Sequence, residues 1–544
     1  MPIKARGGAI APGGGSTMSR RSSPLSLCAV RNNGPAMDLP ATCELHETRG
    51  PRRSRRSFLG LSAAALGAGS ALPLAGQRRD ATDRPNILFC ISDDQSWTHA
   101  GAMGDPVVRT PAFDRIAAQG VLFTHAFCDA PTCGPSRSAI LTGQSIWRLE
   151  EAGNIHSTLP SKFATYTEML EAAGYRVGHT SKGWAPGRLE PGGRTRNPAG
   201  DAFESFDEFF RQQPGDEPFC FWLGSRDPHR PYELGSGARS GKDPARVVVP
   251  SHLPDHSVIR NDILDYYVEV ERFDARVLQA LERLEKAGRL ANTIVVVTSD
   301  HGMPFPRAKA SLYDYGSRVP LAIAWTNAVP GGRTVDDFVS LSDMAPTFLE
   351  AAGLPAHGDM TARSLLPILA SDASGQSDPS RDAAFLAMER HDGCRRGGKG
   401  YPCRAIRDRD YLYIRNFEPT RWPSGSPHAK DCARGIPYGE IDSSPTKTFM
   451  MENRDDPVVD RLAELSFGTR SEHELYDLRA DPSQMRNIAA EPAAADRLEA
   501  LRGRLMKRLA DTGDPRALGK PAPWDYYPYY GRKVNADWTV DPPA

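Results

Sequence analysis

Four strand-length apolar runs in this 544-residue chain break off at charged or polar side chains, and that repetition constrains the fold more than any other feature. Asn86-Ile87-Leu88-Phe89-Cys90-Ile91-Ser92 ends in Asp93-Asp94, and the run from Tyr175 to Thr180 ends in Ser181-Lys182. Phe219 to Leu223 leads to Arg226-Asp227-Pro228-His229, and Thr293 to Thr298 gives way to Ser299-Asp300-His301-Gly302. Continuous apolar runs of this length suit strands buried on both faces of a parallel sheet. Helical stretches lie among them. Thr110-Pro111 opens one that stops at Gly120, and residues 165–173 form another that stops at Gly174. From about Ile259 to Ala287 an apolar stripe recurs every three or four residues: Ile263, Tyr266, Val270, Phe273, Val277, Leu281 and Leu284. Strands alternating with helices predict an α/β fold: a large mixed, mostly parallel sheet with helices on both faces. Sites in such sheets lie beyond the carboxyl ends of the strands. The four runs therefore deliver Asp93, Asp94, Lys182, Asp227, His229, Asp300 and His301 to one edge. Carboxylates gathered there must be protonated, paired or bound to a cation, and oxygen-rich ligation suits Ca²⁺ or Mg²⁺ more than Zn²⁺.

The ends of the chain read differently. Residues 1–79 hold 12 Lys/Arg against 3 Asp/Glu, so a formal net charge of zero hides an acidic remainder of 55 basic and 64 acidic residues. An acidic body gives no reason to expect a nucleic-acid partner. Within the basic part, Arg52-Arg53-Ser54-Arg55-Arg56-Ser57-Phe58-Leu59 precedes a short Gly/Ala-rich apolar run to Ala75, the order of a secretory signal. Ser54-Arg55-Arg56-Ser57-Phe58-Leu59 is similar to a twin-arginine signal, which implies a prokaryotic protein exported to the periplasm or beyond by the twin-arginine machinery. Nothing after Arg79 is apolar for long enough to span a membrane. The expected organisation is a signal region at 1–79, a catalytic domain at 80–375, a smaller α+β unit at 376–515 and a Pro/Tyr-rich surface tail at 516–544. In the smaller unit, residues 405–416 read as a hairpin turning at Asp408-Arg409-Asp410, residues 474–478 as a strand and residues 497–509 as an amphipathic helix. Seven of the nine cysteines follow residue 79. Cys90 and Cys220 lie in apolar runs and read as core, while Cys394 and Cys403 flank a Gly-rich loop and could pair with each other or with Cys432.

Cys133-Gly134-Pro135-Ser136-Arg137, continuing to Leu141-Thr142-Gly143, is the most specific stretch. Pro135 suits the first turn of a helix, which puts Cys133 at the helix N-terminus, where free N–H groups and the dipole favour an anion. Arg137 adds a guanidinium fork for oxyanions. The stretch resembles the signature of the formylglycine-dependent sulfatases, members of the alkaline phosphatase-like superfamily, and matches it at every fixed position. The resemblance runs from Arg84 to about Thr512. In that family a maturation enzyme oxidises the Cys to formylglycine, whose hydrate is the nucleophile.

Carried over residue by residue, the resemblance implies Ca²⁺ held by Asp93, Asp94, Asp300, His301 and formylglycine at Cys133. It gives Arg137 the formylglycine and gives Lys182, His229 and Lys309 the sulfate oxygens. Two departures stand out: His301 replaces the more frequent Asn, and Ser181-Lys182-Gly183-Trp184 lacks the His that usually closes the second signature. Asp300 is expected to accept a proton from the nucleophile. His229 is expected to protonate the leaving group, since an imidazole can donate near neutral pH. The segments at Asp227-Pro228-His229-Arg230, Gly302-Met303-Pro304-Phe305-Pro306 and Tyr401-Pro402-Cys403-Arg404 resemble the heparan N-sulfatase branch. They imply a sulfated saccharide substrate, N-sulfoglucosamine foremost. Glu389, His391, Arg395, Arg396 and Arg404, with Lys399, are expected beside Lys309 as a mouth that binds the rest of the saccharide. Two other readings share parts of this pattern: a phosphodiester or phosphonate monoester hydrolase of the same superfamily, and a non-catalytic glycan-binding protein.

Overall fold

The computed structural model describes residues 84–213 and 215–535. The signal-like segment lies outside them. An eight-stranded sheet organises the catalytic region. In chain order its strands, with a small accessory pair, are β1 (Asn86–Ser92), β2 (Val121–Phe123), β3 (Ala126–Phe127), β4 (Arg176–Thr180), β5 (Asp201–Phe203), β6 (Phe219–Gly224), β7 (Thr293–Ser299), β8 (Leu321–Ala324), β9 (Arg333–Val335) and β10 (Val339–Ser340). The spatial order is β5-β4-β6-β1-β7-β8-β2-β9, and β3 pairs separately with β10. All neighbours in the large sheet run parallel except β8, which is antiparallel to both β7 and β2. The mixed, mostly parallel sheet expected from the apolar runs is therefore what the chain builds.

Side chains of β1 alternate between two cores, as the strand period requires. Ile87, Phe89 and Ile91 pack with Ile140, Leu170 and Phe348 on one face. Leu88 and Cys90 pack with Phe113, Phe273, Val277 and Leu281 on the other. Helices cover both faces: Cys133–Thr142, Tyr166–Ala172 and Met344–Ala351 on the first, Pro111–Gln119 and Ser257–Lys286 on the second. Tyr166–Ala172 starts in a capping box in which the Thr165 side chain and Glu168 satisfy each other's backbone N–H groups. Among the described residues no helix is long and apolar enough to cross a membrane.

A second sheet of four antiparallel strands follows: β11 (Ala383–Met388), β12 (Cys403–Asp408), β13 (Tyr411–Asn416) and β14 (His473–Asp477), in that spatial order. The helix Ala495–Asp511 packs on it through Leu501, Leu505 and Leu509. The Pro/Tyr-rich tail from Lys520 to Asn535 is mostly exposed or half-buried, with two aromatic anchors. Trp524 is buried, its indole Nε1 donating to Glu150 O at 3.0 Å, and Tyr529 is buried as well. A large aromatic gains more from apolar contact than a Pro-rich context suggests.

Candidate active site

The carboxyl ends of β1 and β7 are adjacent, with Ser92 opposite Ser299, so their following residues meet at one edge. Asp94 turns the chain sharply there, at φ 74°, a left-handed conformation that Asp tolerates better than most side chains. Its backbone N–H donates to Asp300 Oδ1 at 3.1 Å, locking the two strand ends together. The helix Cys133–Thr142 points its first turn into this corner, with Cys133 itself the first helical residue. The Cys133 thiol donates to Asp93 Oδ1 at 3.4 Å and lies 3.2 Å from His301 Nε2.

Three cations and an imidazole close on the carboxylates. Arg137 Nε donates to Asp300 Oδ2 at 2.9 Å while its Nη1 donates to the carbonyls of Lys182 (2.6 Å) and Gly183 (2.9 Å). Lys182 Nζ sits 2.6 Å from both oxygens of Asp93. Lys309 Nζ donates to Asp94 Oδ2 and lies 3.4 Å from Asp442. His229 Nδ1 donates to Arg230 O at 2.6 Å, which leaves Nε2 facing Asp94 Oδ2 at 3.9 Å. The His229 side chain is 33% exposed while Arg137, Asp94 and Asp300 are fully enclosed, so a substrate reaches His229 first.

The charges shape one another. Burial would raise Asp300, but His301, Arg137 and Lys182 hold its carboxyl well below the usual range. With Oδ1 on the Asp94 amide and Oδ2 on Arg137, it is a holder of positive charge more than the proton acceptor expected from the sequence. Asp94 is held low against burial by Lys309, while burial and the neighbouring carboxylates Asp300 and Asp94 raise Asp93 despite Lys182. Burial also pushes the His301 imidazole down to about 4. The ring is therefore neutral near pH 7, and with Nδ1 directed at Gly302 O (3.2 Å), Nε2 is left with a lone pair toward the cluster.

Ligand atoms of Asp93, Asp94, Cys133 and His301 all lie within 4.8 Å of one another. Asp94 Oδ1 is buried with no hydrogen-bond donor, and Arg137 Nη2 is buried with no acceptor. Buried polar atoms left without hydrogen bonds in this way, in groups whose charges are otherwise paired, mark a place for a ligand. The donor set of carboxylate oxygens, one sulfur position and one neutral imidazole fits a divalent cation.

The structure thus brings together Asp93, Asp94, Cys133, Arg137, Lys182, His229, Asp300, His301 and Lys309. Trp184, where the second signature lacks its His, is buried and donates from Nε1 to Ser138 Oγ at 2.8 Å, bracing the Cys133 helix. The expected basic mouth is a correction. Arg404 is wholly buried between Glu389 (2.7 Å) and Asp514 (2.6 Å), and Glu389 also takes Arg516. Arg395 and His391 are buried on the two oxygens of Glu440 at 2.6 and 2.9 Å. Arg396, at 79% exposure beside Asp431, and Lys399 are the members that face solvent. Sequence reasoning missed Asp442, which clusters with Asp94 and His229 and keeps one buried oxygen without a donor. It lies in a loop ahead of the helix Pro445–Glu452, and a lone Asp before a helix reads as a cap, so no local signal marks it.

Residues 85–354 match the sulfatase family, and residues 304–422 match the family described as N-sulphoglucosamine sulphohydrolase, C-terminal. The chain belongs to the sulfatase family and is a hydrolase of that family. It is 27% identical over 490 residues to N-sulphoglucosamine sulphohydrolase of Homo sapiens, covering 79% of this chain and 91% of the human one. A solved structure of a protein in complex with its substrate D-glucosamine-2-N,6-O-disulfate is similar at TM-score 0.58 and 20% identity, covering 79% of this chain and 98% of that one. The phosphonate monoester hydrolase of Agrobacterium radiobacter is similar at TM-score 0.56 and 18% identity, covering 79% and 96%. These two likenesses establish the fold.

Proposed function

We propose that this sulfatase removes a sulfuryl group from a sulfated saccharide, with an N-sulfoglucosamine unit the leading candidate substrate. Its cofactors would be Ca²⁺ and a formylglycine generated from Cys133 by a maturation enzyme. The observation that carries the reading is the convergence of Cys133, three strand-end carboxylates and the cations Arg137, Lys182 and Lys309 on one enclosed corner. The likeness to the human N-sulphoglucosamine sulphohydrolase, which extends through 91% of that protein, supports the sulfamate choice. The basic-then-apolar segment at 52–75 supports export by the twin-arginine route.

Asp93, Asp94, Asp300 and His301 would hold the cation with the residue-133 side chain, and together these groups would supply an oxygen nucleophile of lowered pKa at position 133. The rest falls to residues of this chain. Arg137, clamped by two backbone carbonyls and Asp300, cannot swing away and orients residue 133. Lys182 and Lys309 lie on either side of the carboxylate pair and offset charge on the sulfuryl oxygens as it develops. His229, the most exposed member, faces the leaving group and can deliver a proton from Nε2, its Nδ1 being committed to Arg230 O. A decisive experiment couples the intact mass of the Cys133 peptide with side-by-side assays on N-sulfoglucosamine, an aryl sulfate and an aryl phosphodiester. Aldehyde at residue 133 with turnover of the sulfamate supports the reading. Preference for the phosphodiester would replace it.

A further inference from the structure

Two thiols that the catalytic corner does not use lie side by side in the wall behind it. Ala433 N–H donates to Gly393 O at 2.5 Å, so Cys394 and Cys432 are the residues one step on and one step back from that bond. Both side chains also border the space over Gly439, so the sulfur of Cys432 and the Cβ of Cys394 are neighbours, the proximity a disulfide needs. Glycines make the space for both sulfurs. A methyl group on Gly439 would come 2.6 Å from Cys432 Sγ and 2.9 Å from Cys394 Cβ, and one on Gly425 would come 2.8 Å from Cys394 Sγ. Gly425 also has φ +93°, which other residues rarely adopt. Cys403, the partner the Gly-rich loop suggested for Cys394, faces into the four-stranded sheet's core with Met388, Tyr401 and Ile414.

We propose that Cys394 and Cys432 are a disulfide-forming pair that staples residues 389–400 to residues 424–442. This does not depend on the substrate assigned above. In the step, the thiolate of one cysteine attacks the S–S bond of a disulfide oxidant and releases one oxidant thiolate. The second cysteine then displaces the other oxidant sulfur from the mixed disulfide. The pair loses two protons and two electrons, and the oxidant's disulfide is reduced to two thiols. Burial pushes both thiols up, Cys394 with Glu440 adding to it, so neither is reactive in the closed structure. The bond must then form while the two loops are still assembling or transiently open.

What the bond would hold is the Glu440 hub. Glu440 accepts from His391, Arg395 and the Asp392 amide across the two segments, and Asp442 follows two residues later at the catalytic corner. The test uses the full-length chain, equilibrated with oxidised glutathione in mild denaturant, returned to buffer, then unfolded, alkylated and digested. The expected product is one Cys394–Cys432 cross-linked peptide, lighter by two hydrogens than its separate parts, with Cys403 alkylated. Cys403→Ser should leave the link in place, and Cys394→Ser should leave Cys432 alkylated or capped by glutathione. The cross-linked chain should lose a few degrees of Tm on reduction, and Cys432→Ala should show no such shift. Alkylation or capping of both cysteines, or a link running to Cys403, would overturn the proposal, and so would an unchanged Tm for the stapling role.

Discussion

The strand-end corner and the wall at residues 389–442 use the same chemical vocabulary of Arg, Lys, His, Asp and Glu, yet the two regions spend it in opposite ways. In the wall the central charges pair off: Arg404 has Glu389 and Asp514, and Glu440 has Arg395 and His391. In the corner three carboxylates crowd together, and Asp94 Oδ1 and Arg137 Nη2 make no hydrogen bond even though ion-pair partners lie near them. Complete pairing yields rigidity. Incomplete pairing in a buried place is what a site awaiting a cation and an anion looks like.

The largest effect should come from the corner. Cys133→Ala removes one buried sulfur at a helix end and leaves the carboxylate cage intact. Turnover should fall by at least about 10³-fold with little change in Tm. A variant that keeps appreciable activity would show that residue 133 is not the nucleophile's position and would erase the contrast.

Next comes the wall. Arg404→Ala strands Asp514 as an unpaired buried carboxylate and leaves Glu389 with Arg516 alone, which should cost roughly 3–5 kcal/mol of stability. Denaturant unfolding measures that. A substrate-binding Arg404 would instead show normal stability and a raised KM, as the sequence reading expected.

Much of the corner was legible because strand ends are local. An apolar run and the two polar residues after it reveal both the strand and what it delivers, and the topology of a parallel sheet then gathers them. The Cys133 helix announces itself within five residues. The wall was not legible for the converse reason. Arg404 is neutralised by Asp514, 110 residues on, and by Glu389 across an antiparallel pairing. A basic cluster in sequence therefore looked like a basic surface. Asp442 escaped notice because its neighbours, Lys309 and His229, are distant in sequence and its loop has no periodicity.

Removing a cation should separate the regions again. Three carboxylates at one edge repel unless something positive lies among them, so prolonged chelation should abolish activity and lower Tm by several degrees. Restoring Ca²⁺ should reverse both. The effect should be much reduced in Asp93→Asn and undiminished in Glu440→Gln, because only the former belongs to the cage. Equal sensitivity in both variants would break the distinction.

Acid titration probes the wall. Burial alone would raise Glu440, but His391 and Arg395 hold its carboxyl down to about 2, from an ordinary 4.5. A folded value below the unfolded one contributes stability above pH 4.5, and that stability is lost as the pH falls from there toward 2. The full contribution is about 3 kcal/mol. Glu440→Gln should therefore be less stable than the parent at pH 7, and the gap between them should narrow steadily below pH 4.5. A gap that is independent of pH would mean that shape, and not charge, makes Glu440 important.

The smallest effect is expected at Arg396, which with Lys399 is the part of the expected basic mouth that faces solvent. Its side chain is 79% exposed, and its single partner is Asp431 at 3.2 Å. An exposed ion pair of this kind contributes roughly 0–1 kcal/mol and is screened by salt. Arg396→Ala should leave Tm unchanged and shift KM for a sulfated oligosaccharide by less than about threefold, with kcat the same. A small aryl sulfate should not register the change at all. Arg395→Ala, one residue earlier, should behave in the opposite way, because it leaves Glu440 buried with one cation fewer and must lower stability for every substrate alike. Were Arg396→Ala instead to raise the oligosaccharide KM tenfold or more, and raised salt to mimic it, the saccharide would extend from the catalytic corner across the wall, and the two regions would form one binding surface.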